Sequence, residues 1–145
     1  YKRQIEGSDE MNFAVMSIYI DADNNPSTGF QSWQFPAGSG ADFYLEGGYN
    51  SDRPQDSWGS IYEYTGVDGG WGWTSKLSFS DGINFSKMSE NNGKRAFELS
   101  LSRSSLDNIS GAINFGIFEM DESWSVVGEI PISTQDNSKF LKLEF

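Results

Sequence analysis

Apolar and aromatic residues fall into short runs with β character, and clusters of Gly, Asn, Asp and Ser separate each run from the next. Such punctuation suits strands of ordinary length and leaves little room for long helices. Asn12–Ile20 is apolar on both sides, as a strand covered on both faces must be, so it is expected at the centre of a sheet. Ala41–Glu46 is the next strand. Ser60–Thr65 and Gly72–Ser78 flank Gly66–Gly70, which reads as a hairpin loop. Ile83–Met88 is a weaker run. Asn91–Gly93 then turns the chain into Arg95–Leu101, where Arg95, Phe97, Leu99 and Leu101 share one face. Ser102–Ile109 is the one stretch suited to a helix, at most two turns long, with Ser102 or Ser104 as its cap. Ile113–Glu119, Ser123–Val127 and Phe140–Phe145 complete the set. About eight or nine short strands and one helical turn near 102–109 predict an all-β fold, an antiparallel β-sandwich of jelly-roll-like form. A closed barrel is the alternative. The 145 residues, without an internal repeat or a low-complexity tract, suit a single domain.

Composition removes whole classes of function. The chain has no His and no Cys, which excludes an imidazole base, a Ser-His-Asp triad, a thiol nucleophile and thiolate or His-rich zinc sites. Its 21 acidic and 10 basic residues leave a net charge of -11, so a nucleic-acid backbone is not expected as a partner. No apolar run approaches the ~20 residues that cross a bilayer. Tyr1 opens directly in polar sequence, without the basic and apolar regions of a leader. The chain is therefore expected to be processed, or to be a piece of a larger multidomain exported protein whose other domains are its neighbours.

The most informative segment runs from Ile18 to Gly29. Asp21, Asp23, Asn24 and Asn25 follow an apolar strand within five residues, and Pro26 and Gly29 stiffen the loop. Calcium takes oxygen ligands from carboxylates, amides, backbone carbonyls and water, so alternating donors on a tight loop suit it. The spacing is not that of an EF-hand. Asp42 opens the next strand and returns a further carboxylate to the same end of the sheet. The same residues also make a plain Asx-rich turn that needs no ion.

These motifs carry a resemblance. Tyr19–Gly29 followed by Gly40–Tyr44 resembles the family 9 type carbohydrate-binding modules and their DOMON-like relatives, found in surface glycan-binding proteins of Bacteroidetes-type bacteria. Ile61–Tyr64, Trp71–Trp73, Phe97–Ser102, Phe115–Phe118, Ser123–Trp124 and Ile130–Pro131 follow in matching order. The resemblance spans roughly Met11 to Pro131. It implies a β-sandwich with a structural calcium held by Asp21 and Asp23, with Asn25 and Asp42 as further ligands. It also implies an extracellular or cell-surface location.

The five Trp must then be divided between core and surface. A sugar ring offers an apolar face on which an indole stacks, while polar side chains bind its hydroxyls. Trp71 and Trp73 face the same way, as do Tyr62 and Tyr64 on the facing strand. They read as core or as a cross-strand ladder, with an exposed aromatic platform as the other reading, and Trp124 reads as core. Trp33 and Trp58 lie in polar loops and are the candidate ligand contacts, with Tyr49 and Arg53 beside Trp58. No pair among the scattered carboxylates Glu46, Glu63, Glu98, Glu119, Asp121 and Glu129 is marked for glycoside hydrolysis, and Glu46 and Glu63 are expected as outward, solvated side chains on strands. The expectation is a non-catalytic module that captures a polysaccharide or oligosaccharide. A calcium-stiffened spacer or adhesion domain without a sugar ligand is the alternative.

Overall fold

The computed structural model describes residues 13–35, 38–50, 58–78, 81, 83–85, 89–91, 94–96, 99–107, 109, 111–120, 123–131 and 140–144. The strands are β1 (Phe13–Asp21), β2 (Phe43–Asn50), β3 (Trp58–Tyr64), β4 (Trp73–Ser78), β5 (Ile83–Phe85), β6 (Ser89–Asn91), β7 (Lys94–Ala96), β8 (Leu99–Leu101), β9 (Ala112–Met120), β10 (Val126–Ile130) and β11 (Leu141–Glu144). All pairings are antiparallel. One sheet runs β10-β9-β1-β2-β3-β4, and β11 pairs with β9 beyond the stretch that β10 occupies. β1 is thus central, as its two-sided apolar pattern requires. The sheet is open-ended, so the barrel alternative does not hold among the described residues.

Strand alternation sorts the side chains into two layers. On one face Ile18 pairs with Leu45 and Ile117, Leu45 with Ile61, and Ile61 with Leu77. This aliphatic row joins Ile20, Phe43 and Ile113 and is covered by Leu101, Leu106 and Ile109. The covering layer comes from the β8 end of the β5–β8 segment and the 3-10 turn that follows it. The fold is all-β and sandwich-like. On the other face Tyr19, Tyr44 and Tyr62 stand side by side on β1, β2 and β3. Phe30, Phe35, Phe118 and Phe140 pack around them. Gly116 lies opposite Tyr19, where a Cβ would fall 2.7 Å from the Phe140 ring and 2.8 Å from that of Phe35. A glycine there lets two aromatic rings rest on the sheet backbone.

Three local expectations change. The stretch Ser102–Ile109 forms only a four-residue 3-10 helix, Arg103–Leu106. Ser102 occupies the cap position without a side-chain cap bond; its hydroxyl lies 2.7 Å from that of Ser104 instead. Asp107, left-handed at φ 56°, stops the helix after one turn. The strand expected at Ser123–Val127 begins at Val126, because Trp124 adopts φ 62° in the preceding turn. The run Arg95–Leu101 is described as β7 and β8, with 97 and 98 outside the described residues. Met88, Phe97, the Asn91–Gly93 turn beyond Asn91 and Phe145 also lie outside them. The hairpin at Gly66–Gly70 is present: Gly70 N–H bonds Val67 O at 3.0 Å, and Asp68 and Gly69 both have positive φ, as a type I′ turn needs.

Candidate functional site

β1 ends in Asp21, and the chain then folds back on itself around three carboxylates. Oxygens of Asp21, Asp23 and Asp42 all lie within 4.8 Å of one another. Asp42 is delivered from the start of β2, where its N–H bonds Ile20 O at 2.8 Å. Its Oδ2 accepts from the N–H groups of Ala22 (2.9 Å) and Asp23 (3.1 Å). Asn25 N–H donates to Asp21 Oδ1 at 3.1 Å and to Asp23 Oδ1 at 2.8 Å. Thr28 Oγ1 donates to Asp23 Oδ2 at 3.0 Å, and Asn114 Nδ2 on β9 donates to Asp21 Oδ2 at 2.9 Å. Two glycines let the loops meet. A Cβ on Gly29 would lie 2.6 Å from Ala41 O, and one on Gly40 would lie 2.6 Å from Asn25 O.

The electrostatics follow from this crowding. Asp21 is 1% exposed. Burial pushes its carboxyl above the usual carboxylate range, against the lowering bonds from Asn114 and Asn25, and the neighbouring Asp23 and Asp42 push the same way. Burial likewise raises Asp42, and Asp23 adds to it, while the N–H groups of Ala22 and Asp23 oppose. Clustered carboxylates, here one buried, one half-buried and one exposed, favour a counter-charge. The donors are all oxygen, the set that hard divalent cations take and that thiolate-seeking metals do not. The acidic triad Asp21, Asp23 and Asp42 can therefore hold a metal ion. The side chain of Asn25 is engaged locally, its Oδ1 accepting from Ser27 N–H at 3.2 Å.

Beside this loop stands an exposed aromatic pair. Trp33 is 70% exposed and Trp71 is 63% exposed. Their ring centres are 6.5 Å apart and their planes meet at 36°. Both rings stand edge-on to Phe30, at 6.2 Å and 5.4 Å, and Phe30 itself is 2% exposed. Buried Phe35 anchors the far side of the Trp33 loop, and Ser32 N–H bonds Ser39 Oγ at 2.7 Å beneath it. This corrects the expectation that Trp71 is core. Trp71 precedes β4 and caps the aromatic layer from outside, while Trp73, half-buried, packs into that layer against Tyr19, Tyr44 and Tyr64. Trp124 is also exposed, at 59%, because its turn lifts it off the sheet.

Trp58 is exposed but stands at the opposite end of β3 from Tyr64, about 20 Å away at 3.3 Å per residue. Tyr49 lies on β2 with its side chain outside the described residues, and Arg53 lies outside them altogether. Glu46 is half-buried and accepts a hydrogen bond from the Tyr44 hydroxyl, so it is not the solvated side chain expected. Glu63 is tied to Lys76 at 3.1 Å. Lys76 is the extra residue of a bulge in β4, which turns its ammonium to Asp107 at 2.8 Å and over the Phe43 ring at 5.3 Å. An open cleft of about 400 Å³ lies between this ion pair and Asp23 and Asp42.

Sequence reasoning missed Phe30, Gln31, Thr28 and Asn114. Thr28 lay inside the motif and offered a hydroxyl in reach of Asp23. Asn114 had no local signal, since β9 brings it across 93 residues of chain. Among the described residues no helix is long and apolar enough to cross a membrane. Comparison with protein-family models, with curated proteins and with solved structures returns no match.

Proposed function

We propose that the chain is a non-catalytic carbohydrate-binding module whose glycan stacks on Trp33 and Trp71. The observation that carries this reading is the pair of indoles, 70% and 63% exposed, held on a buried Phe30. Flat aromatic area left in water on a rigid base suits the apolar face of a sugar. Gln34, beside Trp33, supplies amide N–H donors for hydroxyl groups, its Oε1 being held by Ser32 Oγ at 2.9 Å. The net charge of -11 favours an uncharged glycan over an anionic one. A calcium ion at Asp21, Asp23 and Asp42, with oxygen from the Asn25 segment, would relieve the carboxylate repulsion and brace the loop. The resemblance to family 9 type modules supports both parts and an extracellular or cell-surface setting.

Calorimetry against a panel of polysaccharides tests the reading. Binding to at least one glycan is expected, with loss in both Trp33→Ala and Trp71→Ala and without release of reducing sugar. Absence of binding across the panel, or binding that both variants retain, refutes it. One observation favours a second reading, a calcium-stiffened spacer or adhesion domain. Asn24 Nδ2 bonds Ala112 O at 2.9 Å and Asn114 bonds Asp21, so the acidic loop staples β1 to β9 without reference to any ligand. That reading predicts a calcium-raised melting temperature with no glycan bound.

A further inference from the structure

The angle between Trp33 and Trp71 needs a cause, because the two rings come from different loops. Trp33 lies in the segment after the acidic loop, and Trp71 follows the β3–β4 hairpin turn. One residue meets both loops and the acidic loop as well. Gln31 N–H donates to Gly69 O at 3.0 Å. Its side-chain Nε2 donates to Pro26 O at 3.0 Å and Thr28 O at 3.1 Å. Gly69 sits so close that a Cβ on it would fall 2.6 Å from Gln31 Cγ. Each indole then lies two residues beyond one partner of the Gln31–Gly69 bond.

We infer that Gln31 is a positioning residue: by holding Pro26, Thr28 and Gly69 together it fixes Trp33 and Trp71 in one platform. The inference deepens the sugar-stacking reading and rests on it for its purpose, but not for its measurement. Phe30 supports both rings from below, and any freedom left between their two loops would have to be ordered on binding, at a cost in affinity. Gln31 removes that cost before a ligand arrives. It also ties the acidic loop, through the Pro26 and Thr28 carbonyls, to the segment that carries Trp33.

The test is the Trp–Trp exciton couplet in the far-ultraviolet circular dichroism of the intact chain, with no ligand added. Trp33→Phe measures the part of the couplet that involves Trp33. Gln31→Ala removes the side-chain bonds and the packing on Gly69. Gln31→Glu keeps the size but places a carboxylate, which cannot donate, against two carbonyl oxygens. The backbone bond to Gly69 and the Phe30 base remain in both Gln31 variants, so both are expected to lose a large part, not all, of the couplet that Trp33→Phe removes, while still melting cooperatively. A wild-type couplet in folded Gln31→Glu overturns the inference, as does a loss in Gln31→Ala that Gln31→Glu does not share. A failed glycan panel would sink the sugar reading and leave this measurement standing. If a glycan does bind, each freed ring is expected to weaken it by about threefold to tenfold.

Discussion

Phe30→Ala and Trp33→Ala should act alike on ligand binding and very differently on stability. Phe30 is 2% exposed and its ring lies 5.4 Å from Tyr19, 5.4 Å from Trp71 and 5.4 Å from Trp73. Truncating such a ring removes buried area and leaves a cavity, together about 3–5 kcal/mol. Trp33 is 70% exposed and its edge-to-face partner is Phe30, so its truncation costs about 0.5–1 kcal/mol. For a chain of this size each kcal/mol lowers the melting temperature by about 3 °C. Phe30→Ala should therefore melt about 9–15 °C lower and Trp33→Ala about 3 °C lower or less. A total stability in the middle or upper part of the usual range of about 5–15 kcal/mol leaves both variants folded in the cold. Urea titration gives the same comparison, with midpoints falling and slopes unchanged. Both variants should lose the aromatic platform, one by removing a ring and the other by removing its base. A Trp33→Ala drop equal to that of Phe30→Ala would refute the argument, since it would mean that Trp33 is covered. So would a Phe30→Ala drop of only a few degrees.

Three further outcomes follow from the packing and the charges. The carboxyls of Asp21 and Asp42 are raised in the folded chain, so the stability they contribute is present below the ordinary carboxylate range and lost as pH rises through their raised values. Melting with a chelator should therefore show those groups costing stability at neutral pH; added calcium should restore it there and do little at acid pH, and equal calcium effects at both would contradict this. Gly40→Ala places a Cβ 2.6 Å from Asn25 O at φ 51°, so it should cost about 1–3 kcal/mol in denaturant titration and weaken the calcium response. Gly116→Ala drives a Cβ into the Phe35 and Phe140 rings and should cost about 1–3 kcal/mol by overpacking, with calcium affinity by calorimetry unchanged.

Much of the fold was legible because β structure writes its period into the chain. Ile18 and Ile20 alternate with Tyr19, and that alternation sends the isoleucines to the aliphatic layer and the tyrosine to the aromatic one. Asp68-Gly69 announced its turn for an equally local reason, the positive φ that both residues adopt. The helical stretch was read too long. Apolar residues at Leu106 and Ile109 have helical spacing, but Asp107 turns left-handed and ends the helix after four residues.

For the site, the chain by itself determined the chemistry on offer: oxygen donors in one loop, no His or Cys, and more Trp than a core of this size consumes. Asp42 could be joined to Asp21 and Asp23 from sequence because consecutive antiparallel strands return to the same end of a sheet. Only the tertiary structure decided which rings face water and which donors face the carboxylates. Trp71 and Trp73 are two residues apart with the same side chain, yet one is exposed and the other packed. Asn114 reaches Asp21 from β9, and Gln31 meets Gly69 from another loop. Burial and such contacts belong to whatever lies opposite a residue, and what lies opposite is set by strand pairing across distant segments.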